Sequence, residues 1–302
     1  YNLIKRIIIS ILTKFNYNLH LLIIKYYFFV YLILFFQSIM YDIIIKLIKE
    51  KEKMSNPVLN ENAVENFRAG EGAFEVMTIS GVVLKTTFLF TILLFTAFYT
   101  FSLILNGFVD KASMLGTVGA IGGFIVAMVV IFARNSKILA PLTMLYAALE
   151  GLFIGGVSAL FAKQAGFAIV AQAVLATLAT LFAMLFLYSA KLISCTEKFK
   201  STIMIATFGV LVIYVVTLIM SFFNPASTSL LMGATPVGIG FSAIVCLIAA
   251  FNLIVDFHII ETAKNMNLDK SFEWYGGFSL MVTLVWLYIE FLKLLSKLNS
   301  RN

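Results

Sequence analysis

The sequence predicts an all-α integral membrane protein, a bundle of seven transmembrane helices. Of its 302 residues, 61 % are hydrophobic and 12 % charged, a balance foreign to soluble domains. Beyond residue 84 the apolar residues gather into seven runs, each near the ~20 residues that cross a bilayer. The connections between them are short and carry turn residues, such as Asn106-Gly107 and Asn224-Pro225.

The chain divides into three parts. Residues 1–53 contain no Gly, Ala or Pro and hold eight Lys or Arg against three acids. We read them as a non-native upstream extension, a translation of AT-rich DNA ahead of a start at Met54. The alternative is an extra hydrophobic helix around 21–40. Residues 54–84 form a polar cytoplasmic leader, with Glu61, Glu65, Glu71 and Glu75 set against Arg68. Residues 85–302 form the seven-helix membrane domain, with runs at 86–105, 115–133, 140–161, 167–188, 203–223, 237–260 and 274–295.

Charge sets orientation and excludes some partners. The net charge is +7, of which +5 belongs to residues 1–53. A basic total of that origin does not indicate nucleic acid, and none is expected as a partner. The loops after the even runs carry Arg134, Lys137, Lys191, Lys198, Lys200, Lys264 and Lys270. The loops after the odd runs carry only Lys111 and Lys163. This bias places the even loops and the Met54 terminus in the cytoplasm. Lys293, Lys297 and Arg301 then fall outside, against the rule.

Helix contacts in lipid rely on small side chains that let backbones approach. The second run offers Gly116, Gly119, Gly122 and Gly123, and the third offers Gly151, Gly155 and Gly156. Both read as close-packing faces. Cys195 in a polar loop and Cys246 in an apolar run read as reduced structural residues. Neither lies in a CxxC or a Cys/His cluster, so no soft-ligand metal centre and no cofactor is expected. No Walker loop, HExxH or GxSxG is present, and the protein is not expected to be an enzyme.

Three acids stand inside apolar runs: Glu150, Asp256 and Glu290. An intramembrane acid costs several kcal/mol and is by default a candidate functional residue. Asp256 and Glu290 each lie 17 residues from Glu273, near the centre of the polar stretch between the last two runs. Continuous helices would bring both to a similar depth, ~25 Å from the turn. Two touching carboxyls share a proton and titrate as a unit. Deprotonated, they are hard oxygen ligands of the kind Ca²⁺ takes, which makes Asp256 and Glu290 a candidate transient Ca²⁺ site. The bland alternative is that each acid snorkels to its nearer interface. Glu150 is a candidate for the ion path or for an interhelical hydrogen bond. Arg134 is its candidate cationic partner or a positive-inside anchor. His258 points away from Asp256 and reads as an interfacial histidine.

Five stretches resemble the Bax inhibitor-1-like family of membrane proteins, closest to its bacterial branch. They are SNPVL at 55–59, MTISGVVLKT at 77–86, APLTMLYAALEGLFIGGVS at 140–158, IVDFHIIE at 254–261 and EWYGGFSLMVTLVWLYIEFLKLL at 273–295. The resemblance implies a bundle with the seventh helix central and a pH-sensitive Ca²⁺ leak governed by acids on the sixth and seventh helices. Asp256 matches the sixth-helix acid. Glu290 matches the seventh-helix acid, with Glu in place of Asp. Arg134 is the counterpart offered for an Arg on the second helix. The expected function is thus a non-enzymatic cation leak, Ca²⁺ being the permeant ion, in the bacterial inner membrane. The alternative is a non-transporting regulator that binds a membrane protease or stress-response partner, with the polar leader as its docking surface.

Overall fold

A computed structural model describes residues 75–132, 136–223 and 229–300. The expectations placed on residues 1–74 and on Arg134 lie outside them. Seven long helices follow in order: α1 (Ile79–Leu105), α2 (Val109–Phe132), α3 (Ser136–Ala165), α4 (Phe167–Ser189), α5 (Glu197–Phe223), α6 (Pro236–Asn265) and α7 (Phe272–Asn299). A single helical turn, Ser229–Met232, stands between α5 and α6. All seven are long and apolar enough to cross a membrane. The fold is an all-α membrane bundle.

Several helices outrun the apolar stretches, and polar residues cap the amino ends of α1 and α6. α1 starts at Ile79, inside the stretch assigned to the leader, because Thr78 caps it: its hydroxyl accepts from the Gly81 amide at 2.9 Å. Thr235 does the same for α6, accepting from the Gly238 amide at 2.9 Å, with Pro236 at the first helical position. Along α1, Thr86, Thr87, Thr91, Thr96 and Thr100 donate to carbonyls one turn back. That spends each hydroxyl proton inside the helix, so the threonines tolerate an apolar setting.

α7 is the hub. Of its most apolar stretch 83 % is buried, against at most 50 % in any other span. α1, α3, α4 and α6 pack around it. The glycine faces work as the sequence suggests. A methyl at Gly151 or Gly155 would run into the α1 backbone at Leu93 or Ala97. One at Gly119 would meet the α3 backbone at Leu149 and Phe153. Gly116 departs from this pattern, since a methyl there would meet nothing within 4 Å. The faces that α1, α2, α4 and α5 turn outward carry Phe95, Phe98, Ile121, Phe182, Ile205 and Ile219, as lipid contact requires.

The connection between α6 and α7 is tight and clamped to the residues preceding α1. Asn267 takes a positive φ of 53° in the turn. The Met77 amide donates to the Leu268 carbonyl at 2.9 Å, and the Lys270 amide to the Glu75 carbonyl at 2.8 Å. Lys270 and Glu75 also pair through their side chains. Glu273, 2 % exposed in the first turn of α7, closes the clamp. It accepts from the Thr78 amide at 2.8 Å and hydroxyl at 3.1 Å, and pairs with Lys85 at 2.7 Å. A carboxylate at a helix amino end satisfies amides that the helix leaves open.

Candidate functional site

Asp256 lies on the face of α6 that meets α7 and is 5 % exposed. Each of its oxygens accepts one hydroxyl from α7, Ser279 to Oδ1 at 2.6 Å and Thr283 to Oδ2 at 2.6 Å. The two donors are four residues apart and therefore share one helix face. Tyr275, one turn before Ser279, is close enough to feel the carboxylate's charge. The site is thus one acid cradled by neutral hydroxyls.

Glu290 is fully buried near the other end of α7. Lys293, three residues on, lies 2.9 Å from its Oε1 and 2.7 Å from its Oε2. Trp286 donates its indole N–H to Oε1 at 3.3 Å, and Tyr214 of α5 donates its hydroxyl at the same distance. Lys293 also donates to the Tyr214 oxygen, and its ammonium sits 4.6 Å from the centre of that ring. This second site is a closed ion pair that ties α5 to the hub.

The two acids therefore do not form the expected pair. Asp256 meets α7 at Ser279 and Thr283, which precede Glu290 by eleven and seven residues. That separates the acids by ~10–16 Å along the axis at 1.5 Å per residue. The reason is where the helices end. α7 is already helical at Phe272, so the turn is centred before Glu273. α6 then continues nine residues past Asp256, while Glu290 lies eighteen into α7. One Ca²⁺ needs its oxygens within ~2.3–2.6 Å, so the acids cannot share an ion in this arrangement. Among the described residues no three His, Cys, Asp or Glu side chains gather into a metal site.

Glu150 is 3 % exposed in the middle of α3. It shares a hydrogen bond with Tyr146 one turn earlier, and a methyl at Gly123 of α2 would stand 3.4 Å from its Oε2. It is a third, separate polar point, at the α2–α3 contact. Ser158 and Tyr288 join α3 to α7 at 2.7 Å. Burial pushes the Cys195 thiol up to about 11, so it stays protonated at neutral pH. Cys195 and Cys246 are both free thiols.

Several partners escaped sequence reasoning. Ser279 and Thr283 carried one signal, a hydroxyl pair at helical spacing inside an apolar run. The loop-charge rule places Lys293 and Lys297 on the outer side of the membrane. They are instead 7 % exposed and engaged within the bundle. The spacing of Glu290 and Lys293 was the legible sign of a pair.

Fold and site together define a class: an integral membrane protein whose described residues form seven long helices, with carboxylates buried in the core around a central α7. The family model described as Bax inhibitor 1 like matches residues 56–300. The chain belongs to that family. No curated protein matches it.

Proposed function

We propose that the protein is a pH-sensitive cation leak, with Ca²⁺ as its permeant ion and Asp256 as its titrating carboxylate. The observation that carries this reading is the Asp256 setting: a buried acid whose two oxygens meet hydroxyls rather than an ammonium. Ionised, it places an uncompensated charge between α6 and α7, which a passing cation relieves. Protonated, it holds the two helices together by neutral hydrogen bonds and attracts no cation. Flux therefore rises with pH. Glu290, already compensated by Lys293, anchors the bundle and does not gate it. The loop charges support a cytoplasmic leader, and the resemblance to the family's bacterial branch supports a bacterial inner membrane. The engagement of Lys293 and Lys297 inside the bundle removes two of the three charges that opposed this orientation.

Ca²⁺ entry into dye-loaded proteoliposomes across about pH 5 to 8 tests the reading, with Asp256→Asn beside the parent. The parent flux should rise with pH and the variant flux should stay flat. Identical profiles in both would remove Asp256 from the mechanism.

One observation favours the second reading, a regulator that works by binding a membrane partner. Residues 75–78 are clamped to the α6–α7 turn, so a partner that grips the leader acts directly on that turn. Absence of flux at every pH, with partner capture lost on deleting the leader, would favour this reading.

A further inference from the structure

The connection from α5 into α6 builds an oxygen cage. Its three oxygens are the Leu231 carbonyl, the Gly238 carbonyl and the Ser242 hydroxyl. They lie 2.7, 3.0 and 2.8 Å from the Lys297 ammonium, which arrives from the last turns of α7. An ammonium has three N–H donors, and this geometry uses one on each oxygen. Ser242 is 1 % exposed and Lys297 7 %.

The cage is fixed by the backbone, independently of the lysine. Thr235 donates to the Leu230 carbonyl at 2.7 Å while capping α6 through the Gly238 amide at 2.9 Å. Gly238 is pressed so closely on the Gly233 and Leu231 carbonyls that a Cβ there would collide with them. These contacts hold Leu231 and Gly238 together without using the lysine. Three backbone or hydroxyl oxygens with no carboxylate suit a single positive charge. An ammonium ion or K⁺ fits, as where carbonyl oxygens replace the hydration shell of K⁺. Among the described residues, Glu290, Lys293 and Cys246 are the titratable groups that act on the ammonium, and Glu290 and Lys293 offset each other.

We infer that Lys297 is a tethered plug, its ammonium filling a monovalent-cation site at the α5–α6 end of the bundle. While it is in place, free K⁺ cannot enter there. The site is distinct from Asp256, and its existence does not depend on the leak.

The test is thermal unfolding of the full chain in nanodiscs. Parent, Lys297→Ala and Lys297→Met are compared in KCl, methylammonium chloride and N-methylglucamine chloride at equal ionic strength. Lys297→Ala should gain about 5 °C, saturably, with K⁺ or methylammonium over N-methylglucamine. The parent, and Lys297→Met with its chain still filling the entrance, should not respond. A Lys297→Ala response no larger than the parent's would overturn the proposal. Amine acylation of the parent, read by peptide mass spectrometry, tests it without requiring that variant to fold. Lys297 should react at least about tenfold more slowly than exposed Lys191, because it must first be released by local opening. Ser242→Ala should speed its labelling. Equal rates at Lys297 and Lys191, or no change in Ser242→Ala, would also overturn it.

Discussion

Asp256 and Glu290 are both buried acids on the contact surfaces of the hub helix, yet their settings differ in kind. Glu290 sits against an ammonium at 2.7 Å, with a phenol and an indole completing its shell. Asp256 has two hydroxyls. A buried ion pair cancels its own field and becomes a fastener. A buried acid held by neutral donors keeps its charge unanswered, so its protonation state governs what the surrounding helices can attract. Residue type and depth in the hydrocarbon do not assign these roles. The partner does.

The largest test of that contrast is Lys293→Ala. It leaves Glu290 buried without its cation and should cost about 3–5 kcal/mol, read as a fall in the unfolding midpoint in detergent. The double variant Glu290→Gln with Lys293→Met should recover most of that loss, since it removes both charges together. If the double variant is as unstable as the single one, the pair is not a self-cancelling fastener. A middling effect is expected at the other acid. Ser279→Ala with Thr283→Val strips both donors from Asp256 and should cost about 1–3 kcal/mol. Adding Asp256→Asn should return part of it, because an amide suffers less than a carboxylate from losing donors. Strict additivity of the three changes would break the comparison.

The smallest effect belongs to the clamp. The Ser271 hydroxyl and amide, the amide at 2.8 Å, hold the Asp269 carboxyl below its ordinary value. A depressed carboxyl contributes stability that is present above its unfolded pKa, about 3.9, and is lost as pH falls through the lower folded value. Hydrogen exchange at the Met77 and Lys270 amides should therefore show faster opening near pH 3, after correction for intrinsic rates. Asp269→Asn should reduce this acid sensitivity and leave the part that Glu273 and Glu75 contribute through their own ion pairs.

The seven spans were legible because hydropathy over twenty residues reports directly on what a bilayer accepts. Their ends were not: α1 begins at Ile79, seven residues ahead of its apolar run, on a capping hydrogen bond to Thr78 that a hydropathy run does not register. The acids were conspicuous against their apolar surroundings. Their separation was hidden because it depends on one fact about the turn, that Phe272 is already helical. A few residues of error in a helix start became the difference between a carboxyl pair and two independent sites. Lys293 and Lys297 show the converse failure. Counted along the chain they resemble topology signals, and only their bonds to Tyr214, Glu290, Leu231, Gly238 and Ser242 show their charges to be spent inside.

The placement of α7 has a consequence for biogenesis. Ribosomes deliver the helices from α1 onward, so the hub comes last. Until it arrives, α1, α3, α4 and α6 lack their common surface, Asp256 lacks both hydroxyl donors, and the Thr78 amide lacks Glu273. The early helices must wait in the bilayer, or in the insertion machinery, as an open set. A truncation ahead of α7 would remove the centre of the bundle, not trim its edge. Cells should clear such truncated chains as assembly failures, whatever the fate of the six helices already made.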